Sequence, residues 1–278
     1  MRHALACSSF LALALTTVAC GDDGGGSTTD APGGAIDAPG GGGIDATPPV
    51  DAIPFPDAPP GAFTCLGAAL PTTAPDPITV AGDSSTIGFA GTSPVGGIQI
   101  QAFANGNVTP LATTTSAATT GVYTMTAATG GVPINGYLVG TGATYMPNYL
   151  YPPTPLFQNI GDGAILMVEP SIYNAIHLLV QADNDKAKGF VGLLVIDCLG
   201  NPVPGATVTV TGATAIHYSG ANGLPSAAAT VTATDGQAYA FGVTPGTVTV
   251  DATVGGMSLR EHVITVRTAV VTTTVIAP

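Results

Sequence analysis

The chain has 278 residues, 17 acidic against 5 basic, and a formal net charge of −12. Asp22, Asp23, Asp30, Asp37, Asp45, Asp51 and Asp57 put much of that charge near the start, while Lys186, Lys188, Arg260 and Arg267 are the only strong bases after Arg2. No basic patch is there to neutralise phosphates and no tryptophan to stack on bases, so nucleic acid is excluded as a partner.

Arg2 and His3 lead into an apolar run from Ala4 to Val18. That run falls short of the roughly 20 residues needed to cross a hydrocarbon core, and its charged start and small-residue end predict a signal peptide over 1–19. Thr17-Val18-Ala19-Cys20 resembles the lipobox of bacterial lipoproteins. The resemblance implies diacylglyceryl transfer to the Cys20 thiol, cleavage before it, and acylation of the new amino terminus. Membrane lipid is then a partner through Cys20, and the expected location is the bacterial cell envelope, with the outer membrane as the anchoring bilayer. Several acyl chains are required, because one binds a membrane only marginally. The alternative is ordinary cleavage and free secretion.

Residues 20–62 show no apolar periodicity. Asp-Ala recurs at Asp30, Asp37, Asp45, Asp51 and Asp57 among Gly and Pro, and the few apolar residues (Ile36, Ile44, Val50, Ile53, Phe55) do not offset the entropy of ordering them. A disordered tether is expected, with an r.m.s. span of roughly 35 Å if it behaves as a Gly-rich coil. Its aspartates are too far apart to converge on calcium.

After Gly61 the chain is rich in Thr, Val, Ala, Gly and Pro, the composition of short strands and tight turns. Two β-sandwiches are predicted, over 63–169 and 189–278, joined by a short helix and connector over 170–188. In the first, Ile78 to Gly82, Pro94 to Phe103, Leu111 to Met125 and Gly136 to Tyr151 carry the strands. The helix follows Glu169-Pro170-Ser171, where Ile172, Ala175, Ile176, Leu179 and Val180 fall on one face. In the second, Phe190 to Asp197 is a continuous apolar run that reads as a strand buried on both faces. Thr207 to Thr211, Ala228 to Thr234, Tyr239 to Phe241 and Thr247 to Val254 follow as strands. His262 to Thr268 and Val270 to Ile276 read as a closing pair.

The succession D-x-x-G-N-P-V-P-G-A-x-V-x-V from Asp197, then T-D-G-x-x-Y-x-F-x-V-x-P-G-x-V-x-V-x-A through Ala252, resembles the carboxypeptidase regulatory-like domain. The resemblance covers Phe190 to about Pro278 and implies a transthyretin-like sandwich of seven or so strands. Pro94-Val95-Gly96-Gly97 and Thr120-Gly121-Val122-Tyr123 echo its turns in the first unit. The expected fold is therefore all-β, two tandem transthyretin-like or Ig-like β-sandwiches after the tether, with one short helix near their junction.

Cys7 leaves with the leader, so Cys65 and Cys198 are the two thiols left after Cys20 is acylated. An exported compartment favours a disulfide, which would close a loop of ~130 residues; the alternative is two buried thiols too far apart to meet. Asp183-Asn184-Asp185 has the start of a calcium loop but no later bidentate acid, and reads as a helix-exit turn. His177, His217 and His262 are scattered, Ser219 lacks a nucleophile-elbow setting, and Glu169 and Glu261 are the only glutamates. The zinc machinery beside which the resembled module is found has no counterpart, so no catalytic residue, metal or cofactor is assigned and no enzyme is expected. Tyr145, Tyr149 and Tyr151 in a Pro-rich stretch are the binding candidates. The expected role is a noncatalytic structural or adhesion-type module touching an envelope protein, with polysaccharide or peptidoglycan binding as the alternative and a hydrolase accessory as a distant third.

Overall fold

The structure, a computed structural model, describes residues 61–89, 91–220 and 223–278. The leader, Cys20 and the tether as far as residue 60 lie outside the described residues. The first half of the described chain forms β1 (Ile78–Gly88), β2 (Gly91–Pro94), β3 (Gln99–Ala104), β4 (Ala112–Thr115), β5 (Val122–Ala127), β6 (Gly136–Thr141), β7 (Asn148–Tyr151) and β8 (Ile165–Met167). Helix α1 (Pro170–Leu179) follows. The second half forms β9 (Gly189–Val195), β10 (Thr207–Val210), β11 (Ala215–Ser219), β12 (Pro225–Ser226), β13 (Gln237–Val243), β14 (Gly246–Val254), β15 (Met257–Ser258), β16 (His262–Val266) and β17 (Val271–Ile276). No helix among the described residues is long and apolar enough to cross a membrane.

Period-two patterning decides which face of each strand is buried. In β5, Tyr123, Met125 and Ala127 turn inward while Val122, Thr124 and Thr126 stay exposed. Strand β14 buries Val248, Val250, Ala252 and Val254 in the same way. These faces close two cores. Strands β1, β2, β5 and β8 form one small sheet, and β10, β14, β15 and β16 form another. Each lies against part of a third, nine-stranded sheet ordered β12-β11-β13-β9-β17-β7-β6-β3-β4.

That large sheet runs through both halves of the chain. The C-terminal strand β17 sits between β9 and β7 and is parallel to both, pairing Val271 with Phe190 and with Asn148. The two sandwiches are therefore joined by backbone hydrogen bonds. Alternation then places their cores on opposite faces. Tyr151, Val191, Leu193, Val195 and Ile276 enter the core of the second half, whereas Leu150, one residue from Tyr151, enters the core of the first. Phe190, Phe241 and Val271 share the Leu150 face and pack under α1.

The apolar run from Phe190 is buried on both faces, as its composition indicates. Other elements depart from the sequence reading. His262–Val266 and Val271–Ile276 do not pair: β16 joins β14, and the turn through Ala269, at φ 56°, carries the chain across to the large sheet. Residues 228–234 are irregular, with the Thr232 hydroxyl donating to Val203 O at 2.7 Å and accepting from Ala206 N at 2.8 Å. The segment from Gly136 to Tyr151 is two antiparallel strands, β6 and β7. Helix α1 buries Tyr173, Ile176 and His177, so its inner face is rotated from the one expected and Leu179 is exposed.

Candidate functional site

Strand β7 sets the tyrosines by parity. Tyr149 and Tyr151 project from one face beside Tyr137 of β6, with ring centroids 5.8 Å and 5.1 Å from Tyr137. Phe103 of β3 stacks on Tyr137 at 5.4 Å. The guanidinium of Arg267, just beyond β16, lies 4.2 Å from the Tyr149 ring centroid and 5.1 Å from that of Tyr137. Its Nη1 donates to Tyr151 Oη and to Thr265 O, each at 3.0 Å. Tyr151 is 2% exposed, while Tyr149, Tyr137 and Phe103 are half-buried. Burial raises the Tyr137 phenol pKa, with Arg267 opposing. Tyr145 lies apart from this group, packed on the core of the first half. Two of the three candidate tyrosines thus come together, around an arginine that the sequence did not single out.

A second feature is a cavity of about 880 Å³ along the segment that follows β7. Pro152, Pro153 and Pro155 have no backbone N–H to donate, so the chain leaves the sheet after Tyr151 and crosses as a strap. Leu156 pins the strap by exchanging backbone bonds with Ile134 at 2.8 and 3.0 Å. Ile160 N then donates to Thr79 O at 2.9 Å, which fastens the strap to β1. Leu194, Ile196 and Val275 line the cavity from the large sheet, on the face opposite Val195 and Ile276. Among the described residues, its charged lining is Asp83 and Asp162. Both carboxylates, after burial itself, push the Tyr123 phenol pKa up. Tyr123 is therefore a neutral donor, and its hydroxyl bonds to Gly163 O. A largely apolar concave surface of this size with a few polar groups has the anatomy of a binding groove.

The histidines, Ser219 and Asp185 each have partners within the fold. His177 is 3% exposed, its Nδ1 lies 2.9 Å from Tyr173 O, and its ring meets Phe241 edge-on; burial lowers its pKa. His262 Nε2 lies 2.7 Å from Thr274 Oγ1, and burial lowers its pKa to about 4. His217 packs against Phe241. The Ser219 hydroxyl donates to Asp235 Oδ1 at 2.5 Å, at the turn into β13. Asp185 Oδ1 accepts from Ala187 N at 2.9 Å in a turn after α1, while Lys186 Nζ donates to Asn174 and Asn184. Among the described residues, no three His, Cys, Asp or Glu side chains gather as a metal site would require.

Cys65 and Cys198 are bridged, with Cα atoms 5.8 Å apart. Cys198 N donates to Ala62 O at 2.8 Å, and Arg260 Nη2 to Ala68 O at 2.6 Å. The segment that leads into the first sandwich is thus fastened to the second, beside the end of β9.

No family model matches the chain, and no curated protein does. Among solved structures, it is similar at 12% identity to the shaft pilin SpaA of Lactobacillus rhamnosus GG, over 73% of this chain and 98% of that one, with a TM-score of 0.23. The minor pilin GBS52 of Streptococcus agalactiae gives 11% identity over 72% and 94%, also with a TM-score of 0.23. The Bacillus anthracis TIE protein gives 12% identity and a TM-score of 0.23 over 72% of this chain, which spans about a third (34%) of its length. Superpositions this loose transfer neither fold nor function to this chain.

Proposed function

We propose that the chain is a lipid-anchored cell-envelope protein whose two fused sandwiches, of the carboxypeptidase regulatory-like type, act as a noncatalytic structural or adhesion-type module. The observation that supports this reading is how the amino-terminal end of the folded body is fastened. The chain arriving from residue 60 is tied by Cys65–Cys198 to the end of β9, and β9 pairs directly with β17, the strand shared by both halves. Tension on the tether reaches the centre of the large sheet and passes to both sandwiches through backbone ladders. A disulfide persists in an exported compartment, in keeping with that location. The histidines and Ser219 are each held by packing or hydrogen bonds within the fold, which suits a body that transmits contact and performs no chemistry.

The test is mass spectrometry of the amino-terminal peptide from the membrane fraction. The reading expects acylated Cys20 as the first residue, and release of the protein into the soluble fraction on Cys20→Ala. An unmodified Cys20, or a leader still attached, contradicts the anchored module. Polysaccharide contact is the second reading, favoured by the half-exposed strip Phe103, Tyr137 and Tyr149 beside Gln99 and Gln101. It expects Tyr137→Ala and Tyr149→Ala to abolish pull-down on envelope polysaccharide.

A further inference from the structure

Strands β7, β17 and β9 run parallel, with Tyr151, Thr274 and Leu193 level across the ladder, so their C-terminal ends lie together. At that end Leu194, Ile196 and Val275 line the groove of about 880 Å³, with Pro152, Pro153 and Pro155 of the strap as its wall. Helix α1 covers Phe190, Phe241 and Val271 at the opposite ends of β9 and β17, and Ile196 and Val275 stay half-exposed. Apolar side chains left in an open concavity are the usual mark of a contact site.

The described chain begins at this same end of the sheet. Cys198, two residues beyond Ile196, donates its N–H to Ala62 O at 2.8 Å, and the bridge to Cys65 fixes the segment there. Whatever precedes Gly61 therefore enters beside the groove. Ile53-Pro54-Phe55-Pro56 lies just upstream, and Phe55 is the only aromatic residue between Cys20 and Pro60. The stretch from Ile53 to Gly61 can span up to about 28 Å when extended, enough to lay Phe55 on Ile196 and Val275. A sequence with proline at 54, 56, 59 and 60 loses little entropy on docking in extended form. Joined to the body by so short a link, it meets the groove at an effective concentration on the order of millimolar, ahead of any free peptide. We infer that the groove docks the chain's own residues 53–56, with Ile53 and Phe55 against Leu194, Ile196 and Val275 and the proline rings along the strap. Asp51 and Asp57 bracket the segment and share the sign of the exposed Asp83 and Asp162, so burial of apolar surface drives the contact and charge does not. Docked in this way, the tether leaves the body from the shared sheet and closes the groove to other partners. The inference goes beyond the structural-module reading and needs no acyl group.

The test uses the mature full chain, deuterated except at the methyls of Leu, Ile and Val and the rings of Phe. Nuclear Overhauser cross-peaks are expected from the Phe55 ring to the methyls of Ile196 and Val275. Ile53→Ser with Phe55→Ser, changes outside the folded body, should remove them and shift the Leu194, Ile196 and Val275 methyl signals. The core methyls of Ile100 and Val250 should stay unmoved. Ile36→Ser with Ile44→Ser, further up the tether, should shift none of these. Raised salt should leave the cross-peaks in place, since no attraction between charges holds the segment. Absent cross-peaks, their loss in salt, or an equal response to both double variants would each overturn the inference. So would cross-peaks that fade on tenfold dilution, which would mean that a second copy supplies the segment. The measurement reads the same with Cys20 acylated or bare, so its failure leaves the anchored module standing.

Discussion

Arg267 does the work of several residues. It spreads one guanidinium over the Tyr149 and Tyr137 rings and satisfies the Tyr151 hydroxyl and a strand carbonyl. Arg267→Ala should cost about 1–3 kcal/mol in urea unfolding, and Arg267→Lys should recover only part of it, since an ammonium cannot lie flat on one ring while bonding past its edge. His262 sets a pH dependence. Burial holds its folded pKa at about 4, below the 6.5 ordinary for histidine, so the unfolded chain binds the proton first. Its contribution is complete above pH 6.5 and drains away as pH falls towards 4, with buried His177 acting in the same direction. Unfolding followed from pH 7 to pH 4 should show a stability loss that is shallower in His262→Gln. The disulfide was one of two readings the sequence left open for Cys65 and Cys198, and the bridge is the one the fold forms. The role of Arg267 was not legible, because Tyr151 lies 116 residues away and no local pattern joins them.

Strand β17 shows what patterning can and cannot reveal. Its Val-Thr-Thr-Thr-Val-Ile sequence suits a half-wet strand, yet Thr272 and Thr274 are 0% exposed and Thr273 is 5% exposed. Thr273 Oγ1 donates to Asn148 Oδ1 at 3.1 Å and Thr274 Oγ1 to Tyr151 O at 3.2 Å, so these hydroxyls bond into β7. Thr272 Oγ1 is buried without a partner. Thr272→Val keeps the shape and removes that orphan, and should raise stability by about 1 kcal/mol in chemical denaturation. Gly82 is the opposite case. A Cβ there would come within 2.3 Å of Gly163 O, so Gly82→Ala should push the strap off β1 and cost about 2 kcal/mol or more by the same measurement. The existence and burial of β9 and β14 followed from a continuous apolar run and from alternation, whereas the segment read from Leu111 to Met125 is two separate strands, β4 and β5. The partner of β17 did not follow in this way, because threonine alternation is equally at home on an edge or at a centre, and only tertiary packing decides.

At the scale of the molecule, composition made the mostly-β class and its sandwich-like layers legible, because β-branched residues punctuated by Gly and Pro leave few alternatives. The shared sheet was hidden, since a last strand that crosses to lie beside β7 leaves no trace in local sequence. The groove was hidden for the same reason: its floor comes from β9 and β17 and its wall from the strap that follows β7. The bridge between Cys65 and Cys198, with a sequence separation of 133, should contribute on the order of 4 kcal/mol by restricting the unfolded chain. Cys65→Ser with Cys198→Ser should lower the unfolding free energy by about that amount. The central claim is that both sandwiches stand or fall on one ladder, and calorimetry of the oxidised protein, with methyl signals of Ile100 and Val250 followed in parallel, tests it most directly. One transition is predicted, with calorimetric and van't Hoff enthalpies equal and both signals lost together. Two separate transitions, with either methyl surviving the first, would contradict it.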